Sequence, residues 1–127
     1  MTVTGRGFAT LPASDLERAK SWYAENLGLK PAQEVDGGVV YDMAEGTKVF
    51  LFTSSGKPSG THTQVSFEVE DVEAEVRGMK SHGVQFEEYD LPGFKTEGSI
   101  VTDANGKGAW LHDSEGNLIA ISERLPF

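Results

Sequence analysis

Hydrophobic positions change their spacing along the first third of the chain. An apolar segment from Phe8 to Ala13 leads into Ser14-Asp15-Leu16-Glu17, where a serine followed three residues later by a glutamate is typical of a capping box. Apolar residues then recur at helical spacing, at Leu16, Ala19, Tyr23 and Leu27. Gly28 stands where a left-handed helix cap is expected. The pattern predicts a strand followed by a helix from about Asp15 to Leu27.

Alternating apolar and polar residues follow this helix. They predict a weak strand from Gln33 to Asp36 and then a hairpin of Val39–Met43 and Lys48–Phe52 around the turn Glu45-Gly46. The first module is therefore βαβββ, over about residues 5–55. Residues 54–60 are rich in serine, glycine and proline and suit a linker.

The second half repeats this order, over about residues 61–124. A strand from Gln64 to Glu70 precedes a helix that opens at Asp71 and ends at Gly83. Turns are predicted at Asn105-Gly106 and at residues 114–117. They border two further strands, Gly108–His112 and Leu118–Ile121.

Internal offsets show where the two modules differ in length. Asp15 and Asp71 lie 56 positions apart (71 − 15). If Tyr41 is equivalent to Trp110 and Leu51 to Ala120, the later strands are offset by 69 positions. The difference indicates an insertion in the second module, which we place in residues 90–98. That segment is a candidate lid.

Composition narrows the class of protein. The chain has 127 residues, 38% hydrophobic and 24% charged, which predicts one packed domain made of the two modules. Its net charge of −9 disfavours nucleic acid and anionic membrane surfaces as partners. It contains no cysteine and no apolar stretch of membrane-spanning length, so we expect a cytoplasmic protein.

The motifs in this order resemble the vicinal oxygen chelate superfamily, which includes glyoxalases, bleomycin resistance proteins and dioxygenases. The fragments that carry the resemblance are residues 11–19, Trp22-Tyr23 and Leu27-Gly28-Leu29 in the first module, and residues 67–72 and 113–119 in the second. The resemblance implies an α+β fold of tandem βαβββ modules, with helices on the outer face of a mixed sheet that is cupped around a ligand. It also implies a homodimer.

The family's enzymes hold a divalent metal in that cup, and the matching positions here carry other residues. Histidines of the family correspond to Phe8 and Gln64, and its glutamate to Ala120; a further carboxylate position falls on Leu51. Three of these side chains cannot donate to a metal, and glutamine alone is a weak ligand. We therefore expect no metal and no other cofactor. A misregistered site around His62 and His112 is the alternative.

By the same analogy, the cup lining is largely apolar with a few hydroxyl and amide groups. The candidate ligand-binding residues are Phe8, Thr10, Tyr41, Leu51, Gln64, Ser66, Trp110 and Ala120. This lining favours metal-independent binding of a small hydrophobic or aromatic compound, as in bleomycin-resistance-like sequestration. The alternative is a metal-independent lyase, isomerase or tailoring enzyme, in which His112, Glu68 or a tyrosine acts as acid or base.

Overall fold

The computed structural model describes residues 2–127. The chain divides into two compact units, one ending at Pro58 and the other beginning at Ser59. That the two modules act as one domain stays a prediction.

The first unit is a four-stranded sheet with one helix. Its elements are β1 (Ala9–Ala13), α1 (Leu16–Leu27), β2 (Gln33–Val35), β3 (Gly38–Asp42) and β4 (Lys48–Thr53). The strand order is β1-β4-β3-β2, in which β1 and β4 run parallel and the other neighbours are antiparallel. The predicted hairpin is confirmed within a residue at each strand end, and its turn is a short 3-10 segment at Ala44–Gly46.

Local capping chemistry fixes both ends of α1. Asp15 is the N-cap, and its carboxylate accepts a hydrogen bond of 3.0 Å from the Arg18 amide. The predicted capping box on Ser14 is therefore wrong by one residue. Gly28 caps the other end with φ 66°, the left-handed conformation that glycine adopts at little cost, as predicted.

The core of the first unit lies between α1 and one face of the sheet. Tyr23 of the helix contacts Tyr41 of β3, with ring centroids 5.9 Å apart. The buried side chains are Leu11, Ala13, Ala19, Tyr23, Val39, Tyr41, Val49 and Leu51. The opposite face of the sheet carries none of these residues, so it is the face that α1 leaves open.

The second unit repeats this plan with one insertion. Its elements are β5 (Thr63–Glu68), α2 (Val72–Ser81), β6 (Asp90–Leu91), β7 (Phe94–Lys95), β8 (Val101–Asp103), β9 (Gly106–His112) and β10 (Leu118–Ser122). The sheet order is β5-β10-β9-β8, with β5 and β10 parallel, and β6 and β7 form a separate small hairpin. That hairpin lies where the insertion is predicted.

The second helix begins in the same way as the first. Asp71 is its N-cap and accepts a hydrogen bond of 3.1 Å from the Ala74 amide. Its apolar stripe, Val72, Val76 and Met79, is buried together with the inward-facing residues of the sheet, among them Ala109 and Ile121. The α+β fold of two βαβββ modules is thus confirmed, and no helix within residues 2–127 is long and apolar enough to span a bilayer.

Candidate functional site

Strand register defines the open face of the first unit. Paired residues on neighbouring strands share a face, and Thr10, Phe50 and Val40 form one such row across β1, β4 and β3. Pro12, Phe52 and Gly38 form the next row. The rings of Phe50 and Phe52 stack with centroids 5.9 Å apart and planes 17° apart. This face is therefore apolar and aromatic.

A cavity of about 230 Å³ opens on this face. It is lined by Arg6, Phe8, Val40, Lys48 and Phe50. Phe8 is 54% exposed, which is unusual for a side chain that gains free energy by leaving water. Covering its exposed area of about 110 Å² would contribute about 2–3 kcal/mol, at about 25 cal/mol per Å² and about 200 Å² per aromatic side chain. The cavity thus offers a ligand an apolar contact surface.

Gly38 shapes this surface. A Cβ atom at this position would lie 2.5 Å from the Leu51 carbonyl oxygen and 2.8 Å from the Phe50 ring. Only glycine therefore lets the Phe50 ring lie across β3 at this distance. At the matching place in the second unit, a Cβ atom added to Gly108 would lie 3.4 Å from the nearest atom, which belongs to the Trp110 ring. This approach is looser than that at Gly38.

In the second unit, the open face is the side of the sheet opposite the buried residues Ala109, Leu111, Ile119 and Ile121, and it is more polar. Ser66, Ala120 and Trp110 form one row across β5, β10 and β9. Glu68 and Ser122 are paired in the next row. The Ser122 hydroxyl is buried and has no hydrogen-bond partner within residues 2–127. The row therefore presents an exposed carboxylate beside an unsatisfied hydroxyl.

A register shift displaces Gln64 from this pattern. Leu118 pairs with Thr63 and Ile119 pairs with Val65, so Gln64 is the extra residue of a bulge. Its Oε1 atom is buried and lacks a partner among the described residues. Thr63, rather than Gln64, contacts Trp110: its hydroxyl oxygen accepts a 3.1 Å hydrogen bond from the Trp110 Nε1–H.

The candidate lid contacts Trp110 through an aromatic cluster. Phe94 of β7 lies 5.2 Å from the Trp110 ring and 5.3 Å from that of Tyr89, between ring centroids. Tyr89 is edge-on to Trp110 at 5.9 Å. Burial, followed by the nearby Glu87 carboxylate, raises the pKa of Tyr89. A phenol held in its neutral form is a hydrogen-bond donor rather than a base at neutral pH.

Glu88 stabilises the segment that contains β6 and β7. Its carboxylate accepts hydrogen bonds from the hydroxyls of Ser99 and Thr96, the latter at 2.8 Å. These two bonds, Ser99 first, lower the pKa of Glu88. The Tyr89 amide also donates to the Thr96 hydroxyl oxygen at 2.9 Å. Residues 88–99 are thus held by a hydrogen-bonded network.

His112 has both ring nitrogens engaged. Nδ1 lies 2.8 Å from a carboxylate oxygen of Glu87, and Nε2 lies 2.9 Å from the Gly60 carbonyl oxygen. The residue therefore ties the start of the second unit to β9. No ring nitrogen is left for a substrate, so His112 is a poor acid–base candidate in this arrangement.

Tyr41 and Leu51 lie on the helix side of their sheet, away from the open face. Tyr41 packs on Tyr23, and burial raises its pKa, with Lys20 partly opposing the shift. Leu51 pairs with the buried Leu11 and is itself fully buried. Neither side chain reaches the open face of the first unit.

A one-residue error in the internal offset explains why Tyr41 and Leu51 were wrongly predicted to face the ligand. The rows Thr10–Phe50–Val40 and Ser66–Ala120–Trp110 are equivalent, so the offset between the later strands is 70 (120 − 50 and 110 − 40) rather than 69. A slip of one residue moves a side chain to the other face of a sheet. Phe50 and Val40 replace Leu51 and Tyr41 on the open face.

The corrected register does not create a metal site. The positions that correspond to metal ligands in the family are now Phe8, Phe50, Gln64 and Ala120, and only the glutamine has a donor atom. Residues 2–127 contain no group of three or more histidine and carboxylate side chains placed to hold a metal. His62 bonds to Ser59 at 3.0 Å and lies outside any such group. The donor set does not fit the family's metal.

A larger cavity, of about 570 Å³, lies between α2 and residues 95–102. Charged side chains dominate its lining: Glu73, Arg77, Lys80, Lys95 and Glu97. Lys107 is paired with Glu73 at its edge. We favour the smaller apolar cavity as the ligand site because apolar walls supply most of the affinity for small organic molecules.

Several residues of the candidate site were missed at the sequence level. They are Val40, Phe50 and Phe52 on the first sheet, and Tyr89 and Phe94 beside Trp110. The signal for the two phenylalanines was the alternation within Lys48–Phe52: Phe50 and Phe52 are two residues apart, so they lie on the same face of the strand. The contact between Phe94 and Trp110 left no local signal, because the two residues are far apart in sequence.

The family model of the Glyoxalase/Bleomycin resistance protein/Dioxygenase superfamily matches residues 5–121. The chain therefore belongs to this superfamily, whose members bind small-molecule ligands and often form dimers. No curated protein matches the sequence.

Solved structures show the same fold. A glyoxalase/bleomycin resistance protein from Catenulispora acidiphila is 23% identical, with a TM-score of 0.64 over 95% of this chain and 99% of the other. The fosfomycin resistance protein FosX from Listeria monocytogenes is 13% identical, with a TM-score of 0.71 over 95% and 91%. The oxidase ChaP-H2 is 21% identical, with a TM-score of 0.71 over 98% and 95%.

Proposed function

We propose that this protein binds a small aromatic or hydrophobic organic compound without a metal ion, on the open face of β1, β3 and β4. The observation that carries the proposal is the apolar cavity beside the half-exposed Phe8, on a face whose metal-ligand positions hold phenylalanine. Sequestration of a compound, as in the bleomycin resistance branch, requires a surface of this kind and no reactive group.

Three phenylalanine substitutions test the proposal. A panel of small aromatic compounds is screened by thermal shift, and hits are titrated by calorimetry into wild type, Phe8→Ala, Phe50→Ala and Phe127→Ala. Phe127 is 91% exposed and does not line the cavity, so it is the matched control. We expect Phe8→Ala to weaken binding about 10- to 70-fold, from about 1.5–2.5 kcal/mol of lost apolar contact.

Stability separates loss of contact from loss of folding. Phe8 precedes β1 and is half exposed, so Phe8→Ala should retain the wild-type melting temperature within about 2 °C. Unchanged affinity in both Phe8→Ala and Phe50→Ala would show that the ligand does not bind on this face. A broad panel that gives no thermal shift would also argue against the proposal.

A metal-independent lyase, isomerase or tailoring enzyme is the second candidate. The observation in its favour is the exposed Glu68 carboxylate paired across the sheet with Ser122, whose buried hydroxyl lacks a partner within residues 2–127. Glu68 would then be the acid or base. A turnover that survives Glu68→Gln would refute that role.

The homodimer that the family favours is part of the proposal. Light scattering of the purified chain should give about twice the monomer mass of 13.7 kDa. A mass of one chain at micromolar concentration would contradict it.

A further inference from the structure

Two charged residues line the apolar cavity of the first unit, and both are cations. Lys48 is paired with Asp42 on the neighbouring strand, so its charge is compensated. Arg6 is exposed and has no ion-pair partner within residues 2–127. Arg6 contributes only its apolar stem to the cavity wall, and its exposed guanidinium is left uncompensated in a chain whose net charge is −9.

The volume of the cavity matches about one ring. An apolar cavity of about 150 Å³ holds benzene, and drug-sized ligands occupy about 300–1,000 Å³. At about 230 Å³ the cavity accepts a single aromatic ring with a small substituent. Large fused-ring compounds would extend well beyond it.

We propose that the ligand is a single-ring aromatic monocarboxylate, with its ring against Phe8 and Phe50 and its carboxylate on Arg6. The inference rests on the proposed function. A guanidinium presents a planar fork of donors that matches a carboxylate, and aromatic rings contact one another favourably at their edges and faces.

The acidic excess of the chain does not outweigh this contact. Distant carboxylates are screened over about 8 Å at physiological ionic strength, whereas a carboxylate on Arg6 would be at hydrogen-bond distance. Arg6 is exposed and stands between two exposed glycines, which have no side chain that could block its rotamers. Its guanidinium can therefore turn toward a ligand in the cavity.

The test compares benzoate with benzamide, which has the same shape and no charge. Both are titrated to 20 mM into the full chain, with binding followed by amide shifts of residues 6–8 and 48–50 in NMR spectra. We expect benzoate to bind about three- to fivefold more tightly than benzamide, the effect of one exposed ion pair. Arg6→Gln should abolish this preference, and Arg77→Gln, on α2, should retain it.

The outcomes separate the inference from the proposed function. Equal affinity of the two compounds in wild type, with both weakened by Phe8→Ala, would overturn the carboxylate inference and keep the aromatic site. A preference for benzoate that persists in Arg6→Gln would also overturn it. Absence of shifts with either compound would overturn both the inference and the aromatic site.

Discussion

Replacing Gly38 by alanine should disturb the ligand face, and the same change at Gly108 should not. The two glycines occupy equivalent places in the two sheets, 70 residues apart (108 − 38). Gly38 is paired with Phe52 on β4, and Gly108 is paired with Ser122 on β10. They form a matched pair for one perturbation.

The distances set the magnitude. An alanine Cβ at Gly38 would be 2.5 Å from the Leu51 carbonyl oxygen, a backbone atom that cannot move by a rotamer change. At Gly108 the nearest atom is at 3.4 Å, on the Trp110 ring, an ordinary van der Waals contact. Overpacking of a formed structure costs about 1–3 kcal/mol. The gain from a stiffer unfolded chain, about 0.4–1 kcal/mol, applies to both variants and cancels in the comparison.

The assay is thermal unfolding of the two variants beside wild type. Since 1 kcal/mol changes the melting temperature of a chain of this size by about 3–5 °C, Gly38→Ala should melt about 3–15 °C below Gly108→Ala. Gly38→Ala should also bind aromatic compounds more weakly, because the Phe50 ring must move. Equal melting temperatures, or a lower one for Gly108→Ala, would refute the close approach of β3 and β4 at Gly38.

Three further predictions concern the second unit. The hydrogen bonds from Ser99 and Thr96 lower the pKa of Glu88, so they stabilise the fold fully above the ordinary carboxyl pKa of 4.5 and lose that effect as pH falls through the lowered pKa. Glu88→Gln should therefore flatten the acid limb of a stability–pH curve, and an acid limb as steep as that of wild type would contradict this. Asp71→Ala should cost about 0.5–2 kcal/mol in urea unfolding, and an asparagine there should restore most of it. His112→Ala should increase amide exchange around Gly60, whose carbonyl it holds; unchanged exchange would contradict the tie.

Local signals predicted most of the fold. Helix periodicity, the aspartates at positions 15 and 71 and the glycine at 28 are short-range features, and the structure uses each of them at a helix end. The internal repeat then predicted that the second half has the same order of elements along the chain as the first. Only the choice between Ser14 and Asp15 as the cap failed, because both residues are good caps and lie side by side.

The site was harder to predict because it depends on strand faces. An offset of 69 instead of 70 moved Tyr41 and Leu51 to the wrong side of the sheet, since side chains alternate with period two. The bulge at Gln64 leaves no mark in sequence, and it changes which side chain meets Trp110. Contacts made through tertiary packing, such as Phe94 on Trp110, were beyond local reasoning.

The proposed function requires that an aromatic face binds a ligand without a metal. The most direct measurement is a calorimetric titration of chelator-treated protein with the most stabilising aromatic compound, repeated after addition of Mn²⁺, Ni²⁺, Zn²⁺ or Fe²⁺. We predict the same affinity within about twofold in every case, and a loss of about tenfold or more in Phe8→Ala. Binding that appears only after a metal is added, or that is unchanged in Phe8→Ala, would contradict the claim.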